Sequence, residues 1–254
     1  MKLLKKEIDD IKWRFVIIIA ILFFTFLIVA EGQHFLSSIP PFSLSFLKNS
    51  ILGKIIRPET LLKQIELMKK SKDYYIWSQW YGKNLYEFIL LAIILYGFST
   101  FAREIERKTI YYLLSLLPRE KVFFEKSLVG LGTLFMTTLI GGAFPLILGF
   151  KLSMMFKLTL SLLSVSLFLY MIVLFLSIVT GDDLKTFVWS LVIFFILGIP
   201  GFFKSVSFFN IYRYMTGVDI FVRHLFPWGP IGMISFLSIV LYFINLRLFL
   251  KREF

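Results

Sequence analysis

The amino-acid sequence predicts an all-α, polytopic membrane protein with six transmembrane helices. Hydrophobic residues make up 58% of the 254 positions and the mean hydropathy is +0.81, whereas soluble domains hold about half apolar residues. Long apolar stretches recur along the chain between charged segments. The net charge of +12 is concentrated beside those stretches, where basic residues set orientation and meet anionic lipid. The pattern therefore favours membrane lipid as a partner and argues against nucleic acid.

The N-terminal residues 1–14 are predicted to form an interfacial helix that precedes the first span at 15–30. Charged residues lie opposite an apolar stripe with helical spacing, as in helices that lie in the membrane surface. That stripe is Leu4, Ile8, Ile11 and Phe15. No small-residue cleavage site follows the first span, so we expect it to be retained, with Arg14 extending its charge to the inner surface.

Five further spans and two external segments follow from the alternation of apolar and charged sequence. The spans are predicted at 85–102, 127–148, 158–180, 187–201 and 231–250. Residues 31–84 are predicted as an external loop that ends in an aromatic belt. Residues 202–230 hold too much charge to span and are rich in aromatic residues, which predicts an external, re-entrant stretch. The pair Asp182–Asp183 between the fourth and fifth spans is interpreted as a helix N-cap in a short turn.

The segment between the second and third spans, residues 103–126, carries the strongest functional signal. Ten charged residues lie between Phe101 and Lys126, which excludes this stretch from the hydrocarbon. Its apolar run, Ile110 to Leu117, would form only about 12 Å of helix, whereas a span needs about 20 residues. Pro118 is predicted to end this helix. We therefore expect a helix, a break and a second helix at the membrane surface.

Helical spacing divides the first of these two helices into an inward and an outward face. Two stripes follow helical spacing, and we expect one to pack on the protein and the other to be offered outward. They are Phe101, Ile105, Lys108 and Tyr112, and Ile110, Leu113, Leu114 and Leu117.

The order of residues in this segment resembles the permeases of type-2 ABC exporters. Those proteins carry an acidic-basic cluster, a glycine-threonine pair, a leucine-leucine-serine helix, and then proline, arginine and lysine between their second and third spans. The corresponding residues here are Glu104, Glu106, Arg107, Thr109, Leu113, Leu114, Ser115, Pro118, Arg119 and Lys126. The chain departs from the pattern at Lys108 and Glu125, where the family has glycine, and one residue is missing around Pro118.

The resemblance implies that this segment is a cytoplasmic coupling helix on which a separate ATPase docks. The coupling residues it implies are Glu104, Glu106, Arg107, Thr109, Leu113, Leu114, Arg119 and Lys126. It further implies two copies of an ABC ATPase and a second permease, either an identical copy or a sister chain. ATP and Mg²⁺ would be bound by the ATPase, and this chain would hold no cofactor and no metal. A lipid-like, peptide or drug substrate fits the apolar spans.

The sequence offers little chemistry of its own. It contains no GxxxxGK[ST] phosphate loop, so nucleotide hydrolysis is expected on another polypeptide. It also contains no cysteine, which excludes disulfides, thiolate nucleophiles and cysteine metal sites. Its two histidines, His34 and His224, lie in predicted external segments without a metal-binding or hydrolase motif around them. We therefore expect a transport subunit rather than an enzyme.

Charge asymmetry predicts the orientation. Basic residues are denser at the termini and in residues 103–126 than in the opposite loops, so both termini are expected in the cytoplasm, with the chain in the plasma membrane. An alternative remains open, in which the chain is a non-transport immunity, sensor or assembly factor that binds a partner through the same segment. A secondary transporter is disfavoured, because the spans hold few charged residues.

Overall fold

A computed structural model describes residues 2–38 and 58–253, which form helices and no strands. Residues 39–57 of the predicted external loop lie outside the described residues. The α-helices are α1 Lys2–Ser38, α2 Pro58–Lys70, α3 Lys72–Ile76, α4 Tyr86–Gly97, α5 Ala102–Glu106, α6 Ile110–Leu116, α7 Arg119–Ala143, α8 Leu152–Thr180, α9 Asp183–Gly198, α10 Tyr212–Thr216, α11 Val218–Arg223 and α12 Trp228–Lys251.

Six helical runs among the described residues are long and apolar enough to cross a membrane, which supports a multi-pass membrane protein. They are Leu3–Gln33, Lys72–Glu106, Arg119–Leu148, Leu152–Thr180, Asp183–Phe202 and Trp228–Lys251. Each run begins earlier than the span that the sequence predicts, and the first two differ most. A separate interfacial helix at 1–14 is not confirmed, because α1 continues from Lys2 through the first span without a break.

Helix α8 is the centre of the bundle. In its most apolar window 67% of the residues are buried, compared with 17% for the fifth span, α9. It packs against α4, α7, α9 and α12, while α1 packs on the outside against α4 and α7. The hydrophobic core is therefore built around α8, and the remaining spans each keep one broad face outward.

The bundle has two distinct ends. We call the end where α1 begins and α12 finishes the termini end, and the other the opposite end. The opposite end carries α10, α11 and the 3₁₀ turns Ile199–Phe202 and Lys204–Phe209. There the Arg213 guanidinium donates to the Asp219 carboxylate over 2.7 Å, and this hydrogen bond raises the pKa of Arg213.

A nine-residue π-helix, Trp77–Leu85, leads into α4 and is fixed by hydrogen bonds to the third span. Trp80 donates from Nε1 to the Gly141 carbonyl over 2.9 Å, and the Tyr81 hydroxyl donates to the Gly142 carbonyl over 2.6 Å. Pro145 lies four residues after Gly141 and has no N–H with which to bond that carbonyl. The two aromatic side chains thus satisfy carbonyls exposed where α7 gives way to a 3₁₀ turn.

Candidate functional site at the termini end

The second span ends in a break that two neighbouring helices hold in place. Helix α4 ends at Gly97, and Arg14 of α1 donates from Nη1 to the Leu95 carbonyl over 2.7 Å and to Ser99 Oγ over 2.8 Å. A cation at a helix C-terminus satisfies carbonyls that have no helical partner. Arg14 therefore caps the neighbouring helix instead of reaching the lipid surface as the sequence suggested.

Ser177 of α8 hydrogen-bonds to the backbone of the residues that follow α4. Its hydroxyl oxygen accepts from the backbone N–H groups of Phe101 and Ala102, over 3.0 and 2.9 Å, and donates to the Phe98 carbonyl over 3.1 Å. The two N–H groups lie at the N-terminus of α5, where backbone N–H groups have no acceptor within the helix. The most buried span thus fixes where the segment between spans two and three begins.

Two lysines and two glutamates form a cluster, here called the ion cluster, that joins α1, α5 and α7. Lys6 Nζ lies 2.9 Å from Glu104 Oε1, and Lys126 Nζ lies 2.6 Å from Glu7 Oε1 and 3.5 Å from Glu104 Oε1. The Thr109 hydroxyl donates to Glu104 Oε2. The Lys126 side chain is only 2% exposed, which is tolerable because both of its carboxylate partners are present.

Helix α5 is also tied to the start of α9. Arg103 Nε lies 3.4 Å from Asp183 Oδ2, and the Asp183 N–H donates to Glu106 Oε2 over 3.1 Å. Asp182 caps α9, as its position in the sequence suggested, by accepting from the Lys185 N–H over 2.9 Å. That backbone hydrogen bond holds the pKa of Asp182 below its usual range.

A small polar cavity lies beside the ion cluster. It has a volume of about 40 Å³ and is lined by basic side chains, including Arg14 and Arg103, together with the acidic Glu7 and Asp10. A cavity of this size takes a few water molecules, which polar walls would hold. Among the described residues, no group of three His, Cys, Asp or Glu side chains is placed to bind a metal ion.

Helix α6 stands outside the bundle with one face packed and the other exposed. Ile110 and Leu113 are buried, so of the two stripes with helical spacing theirs is the one that faces the bundle. Tyr111, Tyr112 and Leu116 lie on the other face and are 52%, 69% and 62% exposed. The helix thus offers two aromatic rings and one leucine away from the bundle.

The turn before α6 and the proline after it orient this helix. Lys108 has φ of 58°, in the left-handed region, and lies in the turn between α5 and α6. Pro118 then separates α6 from α7. The exposed Arg107 and Lys108 lie at the N-terminal end of α6 and add positive charge beside its exposed face.

Of the eight residues that the resemblance implies, seven are bonded or packed within the protein, and one, Arg107, is exposed beside α6. Glu104, Thr109 and Lys126 meet in the ion cluster, and Arg119 donates from Nη1 to the carbonyls of Leu250 and Arg252, over 2.6 and 3.0 Å, at the end of α12. Glu106 bonds to α9, Leu113 is buried and Leu114 is half-buried. Arg107 alone of these eight is a charged side chain exposed beside α6 without a bond to another helix among the described residues.

Several residues at this end could not be identified from the sequence. Lys6, Glu7 and Arg14 contact residues about 80 to 120 positions away, and no local pattern signals such contacts. The sequence identified Tyr111 and Tyr112 only as residues of a helix, although tyrosine is enriched at protein–protein interfaces.

Comparison with protein-family models, with curated proteins and with solved structures found no match for this chain.

Proposed function

We propose that this chain is the membrane-spanning permease subunit of an ATP-driven exporter, and that a separate ABC ATPase docks on α6. The observation that carries the proposal is the exposed face of Tyr111, Tyr112 and Leu116 on a helix whose other face is packed on the bundle. Aromatic residues and arginine are enriched at protein–protein interfaces, and here Arg107 lies beside the aromatic pair.

The docking helix is tied to several spans, which is what coupling requires. The ion cluster joins the preceding α5 to α1 and α7, while Ser177 and Asp183 join it to α8 and α9. A displacement of α6 by nucleotide-driven closure of the ATPase would be passed to these spans as a rigid-body motion. The ATPase must contact α6 differently in its two states for this to happen.

The remaining parts of the proposal follow from the resemblance of residues 103–126 to type-2 ABC permeases. The termini end would face the cytoplasm, two ATPase subunits would bind ATP and Mg²⁺, and a second copy or a sister permease would complete the transporter. The substrate would be hydrophobic or amphipathic, because few charged side chains are available in the spans. This chain would perform no hydrolysis itself.

The test is a mild-detergent pull-down of the tagged chain from its own membranes, followed by mass spectrometry. We expect a P-loop ATPase in stoichiometric amount with the wild-type chain. Tyr112→Ala should reduce recovery of the ATPase by about 30-fold, which is the loss expected at an interface hot spot. Arg107→Glu should also reduce recovery of the ATPase. Lys151→Glu, an equally exposed position at the opposite end, is the matched control and should recover the ATPase fully.

Residues of the ion cluster are unsuitable as docking probes, since their replacement would disturb the fold as well as any interface. Recovery of no ATPase with the wild-type chain, together with a different stoichiometric partner, would contradict the proposal. It would favour the non-transport immunity, sensor or assembly factor. Equal recovery with Tyr112→Ala and wild type would move the docking surface away from α6.

A further inference from the structure

Glu125, in the second turn of α7, is a buried carboxylate whose charge is not fully paired. The residue is 8% exposed, and its Oε2 atom makes no hydrogen bond among the described residues. Its Oε1 atom lies 4.0 Å from Lys121 Nζ, which is too far for a hydrogen bond. A buried carboxylate oxygen without a donor is unfavourable, so the position suggests that a donor arrives from outside.

Two lysines beside Glu125, Lys6 in the same groove and Lys121 one turn before it, do not supply that donor. Lys6 Nζ is bonded to Glu104 in the ion cluster, 2.9 Å from its Oε1 atom. The Lys121 side chain is 52% exposed. Glu125 thus differs from the carboxylates of the ion cluster, each of which accepts from a lysine.

Glu125 lies in a groove that opens beside the docking helix. The groove has a volume of about 360 Å³ and runs between the start of α1 and the pair α6–α7. Its walls are mostly apolar and include Leu3, Leu113, Leu116 and the Tyr112 ring. Lys6 also lines the groove, and its ammonium group is bonded to Glu104. An apolar groove that holds one carboxylate oxygen without a hydrogen-bond donor is complementary to a basic side chain that has an apolar neighbour.

We propose that this groove binds an arginine or lysine side chain of the ATPase, with Glu125 as the carboxylate partner. Arginine fits best, because its guanidinium makes two parallel hydrogen bonds to one carboxylate and its stem packs on apolar walls. This inference rests on the proposed function, since it names the contact that the ATPase makes beside α6. Glycine is the family's residue at this position, so the contact would be a property of this chain.

The test compares three variants in the ATPase pull-down and in thermal unfolding of the purified chain. Glu125→Gln keeps the shape of the side chain and removes its charge, and it should weaken ATPase binding by about 30-fold or more. Glu125→Arg should abolish binding. Glu120→Gln, on the exposed side of the first turn of α7, is the matched control and should bind as the wild type does.

Unfolding of the chain alone separates a docking role from a structural one. Glu125→Gln should unfold at the same or a higher temperature than wild type, because it removes a buried charge whose one ion pair in the isolated chain is the 4.0 Å contact with the exposed Lys121. Lower unfolding temperature together with weaker ATPase binding would overturn the inference, as it would assign Glu125 to the fold. Rescue of Glu125→Arg by an acidic replacement of one ATPase arginine or lysine, located by cross-linking, would identify the partner residue.

Two further outcomes distinguish this inference from the proposed function. Equal ATPase binding by wild type, Glu125→Gln and Glu125→Arg would overturn the inference and leave α6 as the docking helix. Absence of an ATPase from the wild-type pull-down would overturn both the inference and the proposed function. Glu125-dependent retention of an amine-bearing lipid or of a second copy of the chain would also overturn the inference, because it would identify a different occupant of the groove.

Discussion

At the termini end, three elements are joined by lysine–glutamate pairs, whereas at the opposite end buried tryptophan and tyrosine side chains donate to backbone carbonyls. Lys126 Nζ bonds to Glu7 over 2.6 Å in the first case, and Trp80 Nε1 bonds to Gly141 over 2.9 Å in the second. The aromatic contacts bury large apolar surface along with each hydrogen bond. The ionic contacts depend on complete pairing, because each charge is costly to bury alone.

The two ends are therefore stabilised by different kinds of contact. Aromatic side chains with one polar atom fix the opposite end, where the π-helix and the end of α7 expose carbonyls. The ion cluster fixes the chain around α5 and α6, where the proposed docking helix must stay aligned with three spans. Substitutions that affect one end alone test this comparison.

The largest effect is expected from Lys126→Met in the ion cluster. Loss of the ammonium group leaves Glu7 and Glu104 as neighbouring like charges in a site where the lysine was 2% exposed. Breaking a buried pair in this way should lower the free energy of unfolding by about 3–5 kcal/mol. Equilibrium unfolding of the variant and the wild type in detergent micelles measures this difference in free energy.

The matched control for that prediction is Lys12→Met in the same N-terminal helix. Lys12 pairs with Asp9 over 2.8 Å, but both side chains are 51% exposed, so the change should cost only about 0–1 kcal/mol. Similar losses for the two variants would show that the ion cluster does not hold α1, α5 and α7 together.

An intermediate effect is expected from Trp80→Phe at the opposite end. The substitution leaves the Gly141 carbonyl without a donor, because Pro145 cannot replace the indole N–H, and should cost about 1–3 kcal/mol. Trp189→Phe on α9, where the side chain is largely exposed, should change stability by less than about 0.5 kcal/mol. Equal stability of the two variants would contradict the role given to the Trp80 hydrogen bond.

The smallest effect is expected at Lys108, the left-handed residue before α6. Lys108→Gly removes the strain of a side chain at φ of 58° but adds freedom to the unfolded chain, so stability should change by at most about 1 kcal/mol. Lys108→Ile places a β-branched residue there and should cost about 1–2 kcal/mol. If isoleucine were tolerated as well as glycine, the turn would not depend on this backbone conformation.

Much of the secondary structure was predictable from local chemistry. Pro118 lacks an N–H and ends α6, Asp182 presents an oxygen to the first turn of α9, and Ile110 and Leu113 share a helical stripe in α6. Which stripe of α6 faces the bundle was decided by the structure. The start of the first span was harder to predict, because an amphipathic N-terminal stripe indicates a surface helix whether or not that helix continues into a span.

The candidate site was only half visible in the sequence. The segment with the highest charge was identifiable because charge cannot enter hydrocarbon, but the partners of those charges were not. From the sequence, Glu104 and Lys126 fit a docking surface and an internal cluster equally well. Their contacts with Lys6 and Glu7 in the structure assign them to an internal cluster. Glu125 appears in the sequence merely as a departure from glycine.

The sequence by itself determined the all-helical class, the six apolar stretches and the position of the charged segment, since these depend on composition and on spacing over a few residues. Tertiary structure alone decided that Arg14 caps the second span, that Lys126 is buried and that Tyr112 is exposed. Those properties depend on which helices become neighbours, and residues about a hundred positions apart meet only when the spans pack around α8.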